Sequence, residues 1–101
     1  MPCPKILVAE DGVNIAYEHF RNGHDSVVII CPGFFNSKKN GGIRKAIDIV
    51  SGSYDVVIFD FRGHGDSGGK FSWTAKEPMD LRAVLDYTAG FGYRKTGILA
   101  F

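Results

Sequence analysis

Apolar residues along the 101-residue chain follow two kinds of spacing, one typical of strands and one typical of helices. Short, mostly apolar runs bounded by Gly, Asn, Asp or Pro predict strands over 5–9, 13–20, 26–31, 54–59 and 96–101. Helical stripes at i, i+3, i+4 and i+7 begin at Ile43 and at Leu81. Since Asp11-Gly12 separates the first two runs, we expect an antiparallel hairpin there.

The order of these elements is a β-hairpin followed by βαβαβ. Strands that alternate with helices predict a parallel central sheet with right-handed crossovers, so the fold class is α/β. The runs at 26–31 and 56–59 are apolar almost throughout, as expected for strands covered on both faces. The predicted architecture therefore has three layers, αβα.

Composition and charge favour an ordinary globular protein. Hydrophobic residues make up 45% of the chain and the formal net charge is +1, with no cluster of Lys and Arg larger than a pair. This gives no support to a nucleic-acid partner or to an anionic membrane surface. No apolar run approaches the length of a membrane span, and the first residues lack the apolar core of a signal peptide.

The two cysteines bear on the cellular compartment. Cys3 and Cys31 could form a disulfide, but so few cysteines in a chain with an apolar core fit a reducing compartment better. We therefore expect a cytoplasmic protein.

A glycine-rich loop over 61–69 follows the predicted strand at 54–59. Its segment Gly65-Asp66-Ser67-Gly68-Gly69 fits both the Gly-x-Ser-x-Gly nucleophile elbow and the Gly-Asp-Ser-Gly-Gly of trypsin-like proteases. A trypsin-like fold needs two β-barrels, and an elbow serine lies directly between strand and helix. Ser67 lies seven residues after Asp60, near which the predicted strand ends. We therefore expect Ser67 to bond backbone groups as part of the loop.

Three segments together resemble the α/β-hydrolase-fold enzymes. The segment Asp60-Phe61-Arg62-Gly63-His64-Gly65-Asp66-Ser67-Gly68 resembles the Asp-x-Arg-Gly-x-Gly-x-Ser loop after the family's fourth strand. Cys31-Pro32-Gly33-Phe34-Phe35-Asn36-Ser37 is similar to its His-Gly-Phe oxyanion loop, and Thr96-Gly97-Ile98-Leu99-Ala100-Phe101 resembles the fifth strand entering the elbow. The likeness covers nearly the whole chain in the family's order. It is nearest in style to small soluble esterases and to lysophospholipase-like or aminopeptidase-like members.

The resemblance implies that residues 1–101 are one partial domain, the N-terminal half of the fold, ending in the strand before the elbow. Ala100 would be the first small residue of the elbow, Phe101 the variable one, and the nucleophile the next residue. The backbone N–H of Phe34 would form part of the oxyanion hole, with Gly33 allowing close approach of a ligand. The alternative is that Pro32-Gly33 simply ends the strand. Pro32 stands where the family often has His.

The function implied by the resemblance is that of a serine hydrolase. It would act on carboxylic esters or similar acyl substrates through an acyl-enzyme, without a cofactor. The nucleophile, the acid and the catalytic His would all lie beyond Phe101, so we expect the 1–101 chain alone to be inactive.

The remaining polar residues are expected to have structural roles. In the family the catalytic His follows the elbow, so His19, His24 and His64 are not predicted to be catalytic. No Cys or carboxylate completes a zinc set with His19 and His24, and metal binding is not expected. Asp60 and Arg62 are expected to form a structural hydrogen-bonded pair.

A second hypothesis assigns no catalysis to the chain. A half-sheet module would associate with a partner, or with itself, through the open strand edge from Thr96 to Phe101. A redox or small-molecule function on an unrelated βαβ fold has no motif in its favour.

Overall fold

A computed structural model of the protein describes residues 5–33, 39–72 and 75–100. These residues form five strands and two helices in the predicted order. They are β1 (Lys5–Val8), β2 (Asn14–Phe20), β3 (Ser26–Cys31), α1 (Gly41–Val50), β4 (Asp55–Phe59), α2 (Glu77–Ala89) and β5 (Lys95–Ala100). Each predicted element is present, with its ends shifted by no more than a few residues.

The five strands form one mixed sheet with the order β1-β2-β4-β3-β5. β3 pairs in parallel with both β4 and β5, whereas β2 pairs antiparallel with both β1 and β4. The expected hairpin is therefore present, and Gly12, with a φ of 87°, forms part of its turn. All five residues of β4 are buried, as its apolar sequence predicts for a central strand.

The two helices cover opposite faces of the sheet. Alternate residues of a strand point to opposite faces, and the core accordingly divides into two clusters. One cluster joins Ile29, Val57 and Phe59 to Val84 of α2. The other is built around α1 and contains Ile30, Ile43, Ile47, Val56 and Ile58. The predicted α/β fold with three αβα layers is confirmed.

Strand β5 lies at one edge of the sheet with β3 as its neighbour. All six of its residues are exposed, including Ile98 at 53% and Leu99 at 37%. Neither described helix is long and apolar enough to cross a membrane.

The shape of the loop after β4 depends on two glycines within it. Gly65 has a φ of 48°, and a Cβ atom there would lie 2.2 Å from Oδ2 of Asp60. Gly63 has a φ of 75°, and a Cβ atom there would lie 2.5 Å from the backbone nitrogen of Phe71. Both the backbone conformation and the lack of space therefore require glycine at these two positions.

The substitution Gly65→Ala tests this requirement. The left-handed backbone alone costs roughly 1–2 kcal/mol for alanine, and the overlap with Asp60 adds about 1–3 kcal/mol. Gly12→Ala is the matched control, because Gly12 has a φ of 87° but nothing within 4 Å of an added Cβ. Urea unfolding should show a larger loss for Gly65→Ala than for Gly12→Ala. Equal losses would mean that the close approach to Asp60 is unimportant.

Candidate active site

The candidate site lies at the carboxyl edge of the sheet, where β3, β4 and β5 all end. The parallel register pairs Cys31 with Ala100, so the segment after β3 and the end of β5 are neighbours. Ligand-binding and catalytic groups of α/β sheets gather at this edge. The sequence alone predicted this edge.

A cavity of about 360 Å³ opens at this edge. Its wall is mostly apolar and is formed by Cys31, Pro32, Gly33, Phe61, Leu81, Ile98 and Ala100. Two of the predicted site residues, Gly33 and Ala100, thus line one cavity. Phe34 and Phe101, the other two, lie outside the described residues.

Cys31 lies in the wall of the cavity, and its thiol is a group that can act as a nucleophile. It is a buried, free thiol at the end of β3. Burial raises the pKa of the thiol to about 11. The thiol is therefore protonated near neutral pH and is a poor nucleophile, because only the thiolate attacks readily.

Ser67 has the role expected for a loop residue. Its hydroxyl donates to the backbone carbonyl of Asp60 at 2.5 Å and accepts from the N–H of Ala16 at 2.9 Å. A neighbouring bond, from the N–H of Asp66 to Oδ2 of Asp60 at 3.0 Å, holds the same loop. Both hydroxyl contacts are to backbone, and one of them ties the loop to β2.

Arg62 is a buried cation of the loop, with 2% of its surface exposed. Its Nε donates to Oδ1 of Asp80 at 3.0 Å, and its two terminal nitrogens bond Asp80 at 2.7 Å and Asp11 at 2.6 Å. The backbone N–H of Arg62 also donates to Asp80, at 2.8 Å. The predicted Asp60–Arg62 pair is therefore wrong, since the guanidinium instead lies between two other carboxylates.

This arrangement joins three elements around one cation. Asp11 belongs to the β1–β2 turn, Arg62 to the loop after β4, and Asp80 to the first turns of α2. The hydrogen bond from Arg62 lowers the pKa of Asp11, and the bonds to Asp11 and Asp80 raise the pKa of Arg62. These bonds also hold Arg62 in place, and with it the neighbouring Phe61 at the cavity.

Of the three histidines, His64 lies in the glycine loop, whereas His19 and His24 lie near the amino edge of the sheet. His64 is buried in the glycine loop, where Nδ1 donates to the carbonyl of Arg62 at 3.0 Å and the ring meets Phe71 edge-on. His24 bonds the carbonyl of Ser51, and His19 bonds two tyrosine hydroxyls at the amino edge of the sheet. Within 5–33, 39–72 and 75–100, no three His, Cys, Asp or Glu residues form a cluster that could hold a metal ion.

No protein-family model matches the chain. Among curated proteins, the chain is 39% identical to lysophospholipase L2 of Escherichia coli over 59 residues, covering 57% of this chain and 17% of that protein. It is also 33% identical to the uncharacterised hydrolase YugF of Bacillus subtilis over 57 residues, covering 56% and 20%. The matched region is therefore about one fifth of the length of these relatives.

Solved structures extend the likeness to nearly the whole chain. The esterase Pf2001 of Pyrococcus furiosus superposes with a TM-score of 0.88 at 30% identity, covering 98% of this chain and 41% of the esterase. The likeness in fold therefore extends well beyond the 57 to 59 residues that match the curated proteins in sequence. The sequence and structure likenesses together support an α/β-hydrolase family member, and the chain spans about two fifths of the length of the esterase structure.

Proposed function

We propose that the chain is the N-terminal portion of a serine hydrolase that cleaves carboxylic esters or similar acyl compounds. The observation that carries this proposal is the register of Cys31 with Ala100 beside an apolar cavity. It brings the segment that resembles an oxyanion loop next to the strand that resembles the approach to a nucleophile elbow. These two parts must be adjacent for acyl transfer, because the attacking oxygen and the oxyanion donors act on the same carbonyl.

The proposed reaction has two steps. A serine directly after Phe101 attacks the ester carbonyl while a later His, oriented by a carboxylate, takes its proton and passes it to the leaving alcohol. Water then attacks the acyl-enzyme and releases the acid. The backbone N–H of Phe34 donates to the oxyanion, with Gly33 allowing the close approach, and losing one such donor costs about 100- to 1,000-fold in rate. No cofactor takes part.

The proposal includes the boundaries of the domain and the nature of the substrate. Residues 1–101 are one partial domain that ends in the strand before the elbow, so the chain alone is inactive. The names esterase and lysophospholipase among its relatives support an ester substrate, and the mostly apolar cavity wall supports an apolar acyl group. The free thiol of Cys31 is compatible with the cytoplasmic location expected from the sequence.

A fluorophosphonate probe tests this proposal. We expect the probe to label a longer form of the protein that continues past Phe101, and to leave the 1–101 chain unlabelled. Peptide mapping should locate the adduct on the residue after Phe101. An adduct on Ser67 in either form would contradict the proposal, because the Ser67 hydroxyl is assigned to backbone contacts. An unlabelled longer form that is folded would contradict it as well.

The exposure of β5 supports a second candidate, a non-catalytic half-sheet that associates through this edge. Ile98 and Leu99 are exposed on a strand with one open side, which favours pairing with another strand. In this case the chain would bind a second copy of itself or the remainder of its own domain.

Sedimentation of the purified 1–101 chain distinguishes the second candidate. If β5 pairs between copies, the chain should sediment as a dimer or larger species, and Leu99→Lys should shift it to monomer. Ile6→Lys is the matched control, because Ile6 is similarly exposed on β1 at the opposite edge. A monomer at all concentrations would exclude pairing between copies through β5, as would dissociation by Ile6→Lys but not by Leu99→Lys.

A further inference from the structure

A chain of polar side chains crosses the amino edge of the sheet, at the end opposite the cavity. His19 of β2 bonds the hydroxyl of Tyr87 in α2 through Nδ1 at 2.9 Å. Its Nε2 bonds the hydroxyl of Tyr93, which lies between α2 and β5, at 2.7 Å. The Tyr93 hydroxyl also bonds Oδ2 of Asp55, the first residue of β4, at 2.6 Å. We refer to these four residues as the His19 relay.

The relay determines which nitrogen of His19 carries the hydrogen. Oδ1 of Asp55 accepts from the N–H groups of Asn22 at 2.9 Å and His24 at 3.1 Å. Burial of Asp55 opposes ionisation, but these bonds and the one from Tyr93 outweigh it and lower the pKa of Asp55. An ionised carboxylate can only accept, so the single hydroxyl hydrogen of Tyr93 points to Asp55.

The remaining hydrogens follow from that assignment. The oxygen of Tyr93 must accept from His19, so Nε2 carries the hydrogen and Nδ1 is bare. The bare Nδ1 then accepts from the hydroxyl of Tyr87. In this arrangement the neutral imidazole is fully hydrogen-bonded and joins β2, α2, the α2–β5 connection and, through Tyr93, β4.

We propose that the His19 relay is an acid-sensitive latch, in which a proton on Nδ1 of His19 loosens the α2–β5 connection from the sheet. The added proton on Nδ1 points at the hydroxyl hydrogen of Tyr87 across the same 2.9 Å contact. Because two hydrogens cannot share this contact, the Tyr87 hydroxyl must rotate away. Tyr87, Phe91 and Tyr93 surround the ring, and each lies in α2 or in the connection to β5. These are the groups whose packing the proton disturbs.

The surroundings of His19 favour its neutral form. The pKa of His19 is lowered mainly by burial. The cations Arg21, which directly follows β2, and Lys5 of β1 lower it further, whereas Asp55 of β4 raises it. The unfolded chain therefore takes up this proton at a higher pH than the folded chain does. The contribution of the relay is complete above a pH of about 6.5 and is lost as the pH falls towards the folded pKa.

Amide hydrogen exchange tests the latch. In the intact protein, after correction for intrinsic exchange, the opening of the connection and of β5 should increase as the pH falls from 7.5 to 5.5. The increase can be at most about tenfold per pH unit for a single proton. His19→Gln should remove the dependence, and the matched control His24→Gln, at the other histidine of this edge, should keep it. An unchanged slope in His19→Gln, or no slope in the wild type, would overturn the proposal.

Nitrogen-15 NMR of the histidine ring gives a readout that a purely structural role would not change. The wild type at pH 7.5 should show hydrogen on Nε2 only. Tyr93→Phe should lose this preference, while Tyr87→Phe should keep it and take up its proton at a higher pH, because Nδ1 has lost its donor. Hydrogen on Nδ1 in the wild type would overturn the proposal. The relay is remote from Gly33 and Ala100, so these results are independent of the proposed hydrolase chemistry.

Discussion

The guanidinium of Arg62 is the group on which the arrangement of the candidate site depends. It is almost completely buried, and its donors are shared between Asp80, which is fully buried, and Asp11. A buried cation is tolerated only when it is paired and hydrogen-bonded. Because its partners lie in a hairpin turn and in a helix, the charge can be neutralised only when the turn, the loop after β4 and α2 are together.

The shape of the loop after β4 results from the need to pair the buried Arg62 and from close packing of the loop backbone. Gly63 and Gly65 allow it to fold back on itself, Ser67 ties it to β2, and Arg62 anchors it to α2. Phe61 is thereby positioned at the cavity beside the ends of β3 and β5. The loop that contains the most obvious serine motif thus serves as the support of the site.

The two edges of the sheet differ in character. At the carboxyl edge, Gly33 and mostly apolar side chains line a cavity between the strand ends. At the amino edge, hydrogen bonds link Asp55, Tyr93, His19 and Tyr87 into a chain, and a cavity of about 450 Å³ lies beside Asp55 and Tyr93. The sheet therefore carries a mostly apolar cavity at one end and a chain of hydrogen-bonded polar side chains at the other.

The sequence predicted the local structure better than the polar contacts. Strands and helices can be predicted from the spacing of apolar residues because each element buries its own apolar face. The fully buried β4 and the helical stripe that contains Ile47 are examples. The partners of Arg62 were missed because Asp80 and Asp11 are 18 and 51 positions away, whereas the predicted partner Asp60 is only two away.

The His19 relay was missed for a similar reason. Its contacts to Tyr87 and Tyr93 span 68 and 74 positions, and no spacing in the sequence relates these residues to one another. The family resemblance predicted the backbone segments of the site, but it contains no information on this edge. Such contacts become visible only when the strand order is known.

Unfolding of the variant Arg62→Met in urea at pH 7 tests most directly whether this cation organises the structure. The substitution leaves buried Asp80 without its partner, and we expect a loss of about 3–5 kcal/mol. Arg82→Met is the control, because Arg82 is exposed and pairs with Asp86 on the surface of α2, so its loss should stay within about 1 kcal/mol. Equal losses for the two variants would contradict the central role of Arg62.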